Sequence, residues 1–482
     1  MHDSNLINLL RTFSKEEMKR FGLFVQSPFY NREKILIKFV SVLIKYHPEF
    51  GVEEMPKKKI YASILPGKAY NDALMRNTVS DLLRLAEEFL KVIRANKDAF
   101  YSRYNIMKEL TDRKQKTLFS MNFRKAKNAL ESSGVLDEIY YQNSFLLEDE
   151  KRRNVVVNSS RILYKDDNLQ QQADSIHLQH LVEDIKLYAI MLNQKKFTYE
   201  HNFDFTLSET LRTYIEENFH LYRNIPYIAI FYNCVMLYKT EDKKYFDELR
   251  IQTKKHFKKL SHTDRKNMFM VLTNHGYLQI RRGNFEFYDE LFEVNKDFIK
   301  TKAYLEGNDF MAHYIYSSIA MNAADIGKTD WAENFLNKYL KLVHSDYRKS
   351  SYNICMASIH LARKEYDNAL EKLSVIIPWD NSAKLSVDLL QLKIYFSKNE
   401  TESFLSMTDS MRHFLKRNKD IKNESRIVYG NFVLFLKKLY LLKISSPDID
   451  KSKLYMLKKK IQDNNEIMAK KWLLEKVDEI FQ

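Results

Sequence analysis

Glycine occurs 9 times and proline 7 times in 482 residues, where average usage would supply about 34 and about 24. Glycine permits phosphate loops, tight hairpins and dinucleotide turns, and proline punctuates loops. Their scarcity argues against β-rich and doubly wound α/β folds. The plentiful Leu, Lys, Glu and Met point instead to long helices with short connections. Cys234 and Cys355 are the 2 cysteines, far apart and each inside an apolar helical pattern, so a disulfide framework is excluded and both read as small buried hydrophobes. Gly-x-Ser-x-Gly, His-Glu-x-x-His and Cys-x-x-Cys are missing, as is a glycine-rich loop after a strand. The chain is therefore expected to be non-enzymatic, with no cofactor and no metal.

Long apolar runs are missing too. The most apolar window, "YIAIFYNCVMLY" (227–238), is interrupted by Asn233 and is shorter than the roughly 20 residues a spanning helix needs. The opening "MHDSNLINLLRTFSKEEMK" has no basic start, apolar core or small-residue cleavage site. The expectation is a cytoplasmic protein with no membrane partner.

What is present is apolar content and positive charge. Hydrophobic residues make up 45% of the chain, enough for a buried interior, and the length suits several domains or one elongated array. Basic residues outnumber acidic ones by 78 to 63. The excess is either a lysine-rich solvated surface spread over many helices, or a face for nucleic acid. The runs Lys57-Lys58-Lys59, Lys254–Lys259 and Lys458-Lys459-Lys460 are short, and each adjoins a helical apolar pattern, which favours solvation.

Three segments follow from the patterning. In residues 1–98, Ser14 with Glu17 predicts a capping box, and Phe13 with Met18 a hydrophobic staple. Ile35, Leu36, Phe39, Val40, Leu43 and Ile44 predict one amphipathic helix. The turn "LPGKAYND" precedes another that carries Leu82, Leu83, Leu85, Ala86, Phe89, Leu90 and Ile93. Residues 99–220 remain helical but irregular, with stripes at Phe119, Phe123, Ala126 and Leu130 and at Leu181, Ile185, Tyr188 and Leu192. The most polar stretch, 146–175, is expected to be a mobile connection. His177, His180 and Asp184 have a spacing that can gather metal ligands, but a polar helix face beside the second stripe is the preferred reading. Residues 221–482 form the third segment.

Gly327-Lys328-Thr329 ends like a phosphate-binding loop, yet the required first glycine position holds Asn322 and a helical pattern precedes it. The same residues predict a helical hairpin: Gly327 left-handed at the end of one helix, Asp330 capping the next, and Glu333 completing a capping box. The hairpin recurs. Gly276 and Tyr288, Ala320 and Ala332, and Ala357 and Ala369 are each 12 residues apart, with Phe292, Leu336 and Leu373 one turn further on. Small residues let helix axes approach, and the large residue fills the next groove. Hairpins at 227–257 and 385–417 would flank these, and helices at 427–443 and 451–481 would cap the stack.

This pattern resembles the tetratricopeptide repeat over residues 220–420, best in "YNICMASIHLARKEYDNALEKLSVIIP" (352–378), with Ala357, Tyr366, Ala369 and Leu373 on consensus positions. The copies are degenerate: Tyr288 replaces a small residue, Lys364 replaces the turn glycine, and the spacings are 44 and 37 residues against the family's roughly 34. The N-terminal "FSKEEMKRFGLFVQSPFYN" is similar to a group of Bacteroidota proteins, a likeness that implies no function. The fold expected is all-α, a helical-hairpin solenoid of the tetratricopeptide kind with an N-terminal helical domain. Such arrays expose a concave surface on the first helix of each hairpin. The resemblance places Met270, Thr273, Asn274, Tyr277 and Arg281 there, then Tyr314, Ser317 and Met321, then Ser351, Ile354 and Ser358. It implies a scaffold that holds a protein or peptide partner in that groove, with nucleic acid on the basic surface as the alternative. Only Asn274 suits the clamp by which some repeats grip a terminal carboxylate, so that clamp is not expected.

Overall fold

The computed structural model describes residues 4–51, 57–158, 168–197, 202–305, 310–444 and 451–481. Among these residues the regular structure is helical, with a single isolated β-bridge between Leu305 and Met311. The chain divides into two compact units, Met1–Gly134 with Ile139–Gln179, and Val135–Glu138 with His180–Gln482. The segment boundary expected near residue 220 falls inside the second unit.

The first unit opens with α1 (Asn5–Arg11), α2 (Lys15–Gln26), α3 (Lys34–Ile44), α4 (Lys57–Ile64) and α5 (Asp72–Lys97). Their apolar faces share one core confined to residues 6–93, with Phe13, Phe21 and Phe89 in mutual ring contact at 5.4–5.8 Å. The capping box forms as expected. The Glu17 amide donates to Ser14 Oγ and the Ser14 amide to Glu17 Oε2, so two orphan donors of the helix end are satisfied reciprocally. α6 (Ala99–Asp112) and α7 (Lys116–Ser132) pair closely, and with α8 (Glu138–Asn158) they bury a second core of Phe100, Met107, Phe119, Ala126, Leu130 and Leu147. α9 (Leu169–Phe197) begins in this unit and continues in the next.

One expectation is corrected here. Most of the polar stretch 146–175 is helix, in α8 and α9, and residues 159–167 lie outside the described residues. Its polar side chains find partners on neighbouring helices and along α8 itself. Asn154 Nδ2 donates to Thr111 Oγ1, Gln172 Nε2 donates to Asp149 Oδ1, and Arg153 pairs with both Asp112 and Glu150.

In the second unit, α10 (Thr206–Glu217) and the single turn α11 (Phe219–Tyr222) lead into five helix pairs. They are α12 and α13 (Pro226–Thr240, Lys243–Lys255), α14 and α15 (His262–Arg282, Phe287–Thr301), α16 and α17 (His313–Asp325, Thr329–Tyr339), α18 and α19 (Ser345–Ala362, Tyr366–Ser374), and α20 and α21 (Asn381–Lys398, Thr401–Arg417). Three helices close the unit: α22 (Asn423–Ile444), α23 (Lys451–Asp463) and α24 (Lys470–Phe481). Every residue of α12 from Pro226 to Tyr238 is buried, the mark of a helix enclosed on all sides. No described helix is long and apolar enough to cross a membrane.

The recurring small residues do what their spacing predicts. Ala320, Ala332, Ala357 and Ala369 are fully buried, and Gly276 brings α14 so close to α15 that an added Cβ would stand 2.5 Å from Leu291 Cδ2. Each pair turns through one left-handed residue, in order Glu241, Gly283, Gly327, Lys364 and Asn399. In the last four, the next amide donates back to a carbonyl five residues earlier: Asn284 to Gln279, Lys328 to Ala323, Glu365 to His360 and Glu400 to Tyr395. This bond satisfies a helix-end carbonyl and sets the chain's reversal.

Two further details differ from expectation. Lys328, not Asp330, occupies the N-cap of α17 and makes no side-chain cap bond. Asp330 and Glu333 instead hold the guanidinium of Arg363, the residue that ends α18, at 2.7 and 2.8 Å, so their charge joins neighbouring pairs. Residues 451–481 form two helices, broken at Ala469 with φ 52°. Leu473 and Val477 of α24 are buried with α20 to α23, while its other end reaches back to α14.

Candidate functional site

The first helices of four successive pairs turn one face each toward a common cavity of about 660 Å³. Their contributions fall one helical turn apart, as one face of a helix requires: Tyr277 and Arg281 on α14, Met321 and Asp325 on α16, Ser358 and Ala362 on α18, and Leu389 and Lys393 on α20. The opposite wall is α24, through Lys471, Trp472, Glu475 and Lys476. Two charged ties hold the C-terminal helices to α14. Arg281 Nη1 lies 2.6 Å from Glu424 Oε1 at the start of α22. The buried Lys470 donates its ammonium to the Gln462 carbonyl at 2.7 Å and the Arg282 carbonyl at 3.4 Å.

Charge inside the cavity is only partly neutralised. Lys476 pairs with Glu479 at 2.7 Å, Lys471 lies 3.9 Å from Glu475, and its ammonium sits 5.0 Å from the Tyr288 ring centre. Lys393 is 9% exposed, and its ammonium lies 5.4 Å from the Trp472 ring centre. Burial pulls the Lys393 ammonium below the usual lysine value, while Asp325 and Glu475 oppose that through space. Asp325 keeps accessible surface within the cavity, but enclosure by protein raises its carboxyl above the ordinary carboxylate value, with Lys393 and Lys471 opposing. The Tyr277 hydroxyl contacts the Ser318 hydroxyl at 2.9 Å, and burial pushes its pKa up to about 12.

The sequence-derived groove residues separate into two groups. Tyr277, Arg281, Met321 and Ser358 line the cavity. Asn274, Tyr314 and Ser317 do not line it; Tyr314 is 48% exposed on another surface, and the Ser317 carbonyl faces the Cys355 thiol. Ile354 is corrected from groove to core: at 4% exposure it packs with Ala357, Ala369 and Leu373. Ser351 and Thr273 are buried as well, the latter donating its hydroxyl to the Phe269 carbonyl. Sequence reasoning missed Asp325, Lys393 and Trp472. A signal for Lys393 exists, because it interrupts the apolar face of "LLQLKIYF" one turn after Leu389.

Other chemistry-bearing residues are accounted for by packing. Cys234 and Cys355 are buried free thiols whose pKa values burial raises, that of Cys355 to about 12. Asp184 accepts from the Ser208 hydroxyl at 2.9 Å, and among the described residues no group of three His, Cys, Asp or Glu is arranged to hold a metal ion. Gly327-Lys328-Thr329 is the turn between α16 and α17. In comparisons with known proteins, no protein-family model, no curated protein and no solved structure matches the chain.

Proposed function

We propose that the pairs from α12 to α21 form a degenerate helical-repeat array of the tetratricopeptide kind, and that the chain is a non-enzymatic cytoplasmic scaffold that recognises a peptide or protein partner on its inner face. The observation that carries this reading is the cavity lined by α14, α16, α18 and α20, the first helix of each of four consecutive pairs. Regular stacking turns equivalent faces of equivalent helices to one side. The lining mixes aromatic, thioether and hydroxyl groups with charge, which suits a peptide that presents both apolar anchors and polar backbone.

The test uses the photoreactive residue p-benzoylphenylalanine in the full chain, at Ala362 on the cavity wall or at Lys372 on the outer helix α19. A defined adduct from Ala362 alone, lost when Tyr277→Ala and Met321→Ala are combined, supports the reading. Equal adducts from both positions overturn it. Nucleic acid on the basic surface is the second reading. Lys254 spends its charge on Asp297 at 2.5 Å and Lys458 on Asp478 at 2.5 Å, which leaves less of two basic runs free for phosphates.

A further inference from the structure

We propose that the cavity between α14, α16, α18, α20 and α24 is a binding site for a small amphipathic organic anion, whose acid group meets Lys393 beside Trp472 and whose apolar body lies along Leu389, Leu390 and Met321. The inference concerns the same cavity as the recognition reading but a different ligand. Its test contains no partner protein, so either can fail without the other.

The volume of about 660 Å³ lies within the range of pockets that enclose small ligands, roughly 300–1,000 Å³. The wall combines what such sites combine, apolar and aromatic side chains with a few placed charges. The observation that points to a ligand is Lys393. It is nine-tenths buried and lines the cavity, yet among the described residues its ammonium has no hydrogen-bond or ion-pair partner. Arg281 has Glu424, Lys470 has two carbonyls and Lys476 has Glu479, while Lys364, also on the lining, is exposed.

An ammonium on a nine-tenths buried side chain, opening on the cavity without a protein partner, is costly to keep there, and packing alone gives no reason for it, because an apolar chain of similar length would fill the same space. The cost is recovered when an anion enters, since a charge-assisted hydrogen bond forms in surroundings of lower dielectric than bulk water. Asp325 and Glu475 attract the ammonium from a distance without touching it, so a position beside it remains for the acid group. The Trp472 ring, flanked by Lys393 and Lys476 at 5.4 and 5.7 Å from its centre, offers an aromatic edge to the ligand's apolar part.

The probe is 1-anilinonaphthalene-8-sulfonate, an apolar sulfonate that fluoresces when desolvated, with uncharged N-phenyl-1-naphthylamine as its control. Both are titrated into the full-length protein and into Lys393→Met and Ala362→Trp, the second of which fills the cavity from an exposed position. The sulfonate is expected to bind at a single site. Its affinity should fall by at least about tenfold in Lys393→Met, the scale of a lost charged hydrogen bond, while the neutral amine is unaffected. Ala362→Trp should weaken both probes. Without probe, Lys393→Met is expected to melt at or above the wild-type temperature, because it removes a buried charge, so lost binding cannot be assigned to unfolding. Unchanged sulfonate affinity in Lys393→Met, or equal affinity of the two probes for the wild type, would overturn the proposal.

Discussion

Replacing Gly276 by alanine places opposed effects at one atom. Alanine in a helix interior is favoured over glycine by about 1 kcal/mol. Against this, the new Cβ would lie 2.5 Å from Leu291 Cδ2 and 2.7 Å from Leu291 Cγ, closer than real carbon contacts. A terminal methyl could rotate away, but Cγ moves only if the whole side chain moves, and Leu291 is completely buried. Overpacking of this kind costs about 1–3 kcal/mol, so Gly276→Ala should destabilise the second unit by up to about 2 kcal/mol once helix propensity is subtracted. Gly430 in α22 supplies the control, because nothing lies within 4 Å of a Cβ built there. Gly430→Ala should therefore stabilise by up to about 1 kcal/mol. The assay is urea denaturation followed by far-ultraviolet circular dichroism, with wild type between the two variants. A double-mutant cycle with Leu291→Ala should be non-additive, because shrinking Leu291 removes the clash. If Gly276→Ala stabilises as much as Gly430→Ala, or if the cycle is additive, close approach of α14 and α15 is not why glycine stands there.

Two other outcomes are expected. Lys364 carries a left-handed φ of 63° at a turn where Gly283 and Gly327 stand in equivalent places, so Lys364→Gly should stabilise by about 1 kcal/mol, read as a higher urea midpoint; a lower midpoint would refute the turn equivalence. His275 lies between the rings of Phe246 and Phe287 at 5.6 and 5.5 Å with Nε2 unpartnered, and at 3% exposure burial lowers its pKa to about 4 from 6.5. The unfolded chain then takes up a proton that the folded chain refuses, so the neutral ring's stability is present above 6.5 and is lost as pH falls towards 4. The loss is up to about 1.4 kcal/mol per pH unit, and His275→Phe should flatten the fall in urea midpoint between pH 7 and 5. Identical slopes for wild type and variant would refute it.

The helical pairing was legible because it is local. A small residue twelve positions from another, with a large one a turn later, implies two helices packed across a short turn, and Ala320, Ala332, Ala357 and Ala369 are buried accordingly. The turns themselves were only half legible. Glycine announces a left-handed residue at Gly283 and Gly327, but Lys364 and Asn399 adopt the same conformation without that signal, held by the same back-bond from the following amide. Polar composition misled at α8 and Asp330 for one physical reason. Side chains such as Asn154 and Asp330 are satisfied by partners 43 and 33 residues away, which no local window contains.

The same distinction decides how much of the cavity could be read. Tyr277, Arg281, Met321 and Ser358 follow from helix periodicity, since a face repeated on stacked helices needs only the period and the order of elements. Ile354 fails because α18 is packed by α16 on one side and α20 on the other, so a position one turn before Ser358 is already core. The opposite wall depends on a tie spanning 188 residues from Arg282 to Lys470, and its neighbour α22 on one spanning 143 from Arg281 to Glu424, and nothing local encodes them. Lys393 is the intermediate case. Its place in an apolar stripe could be seen in the sequence and would ordinarily mean a lysine whose head reaches water; only the return of α24 encloses it. The most informative residue of the site is therefore the one where the local pattern breaks its own rule, because a charge kept on a helix's buried face at a cost requires something to meet it.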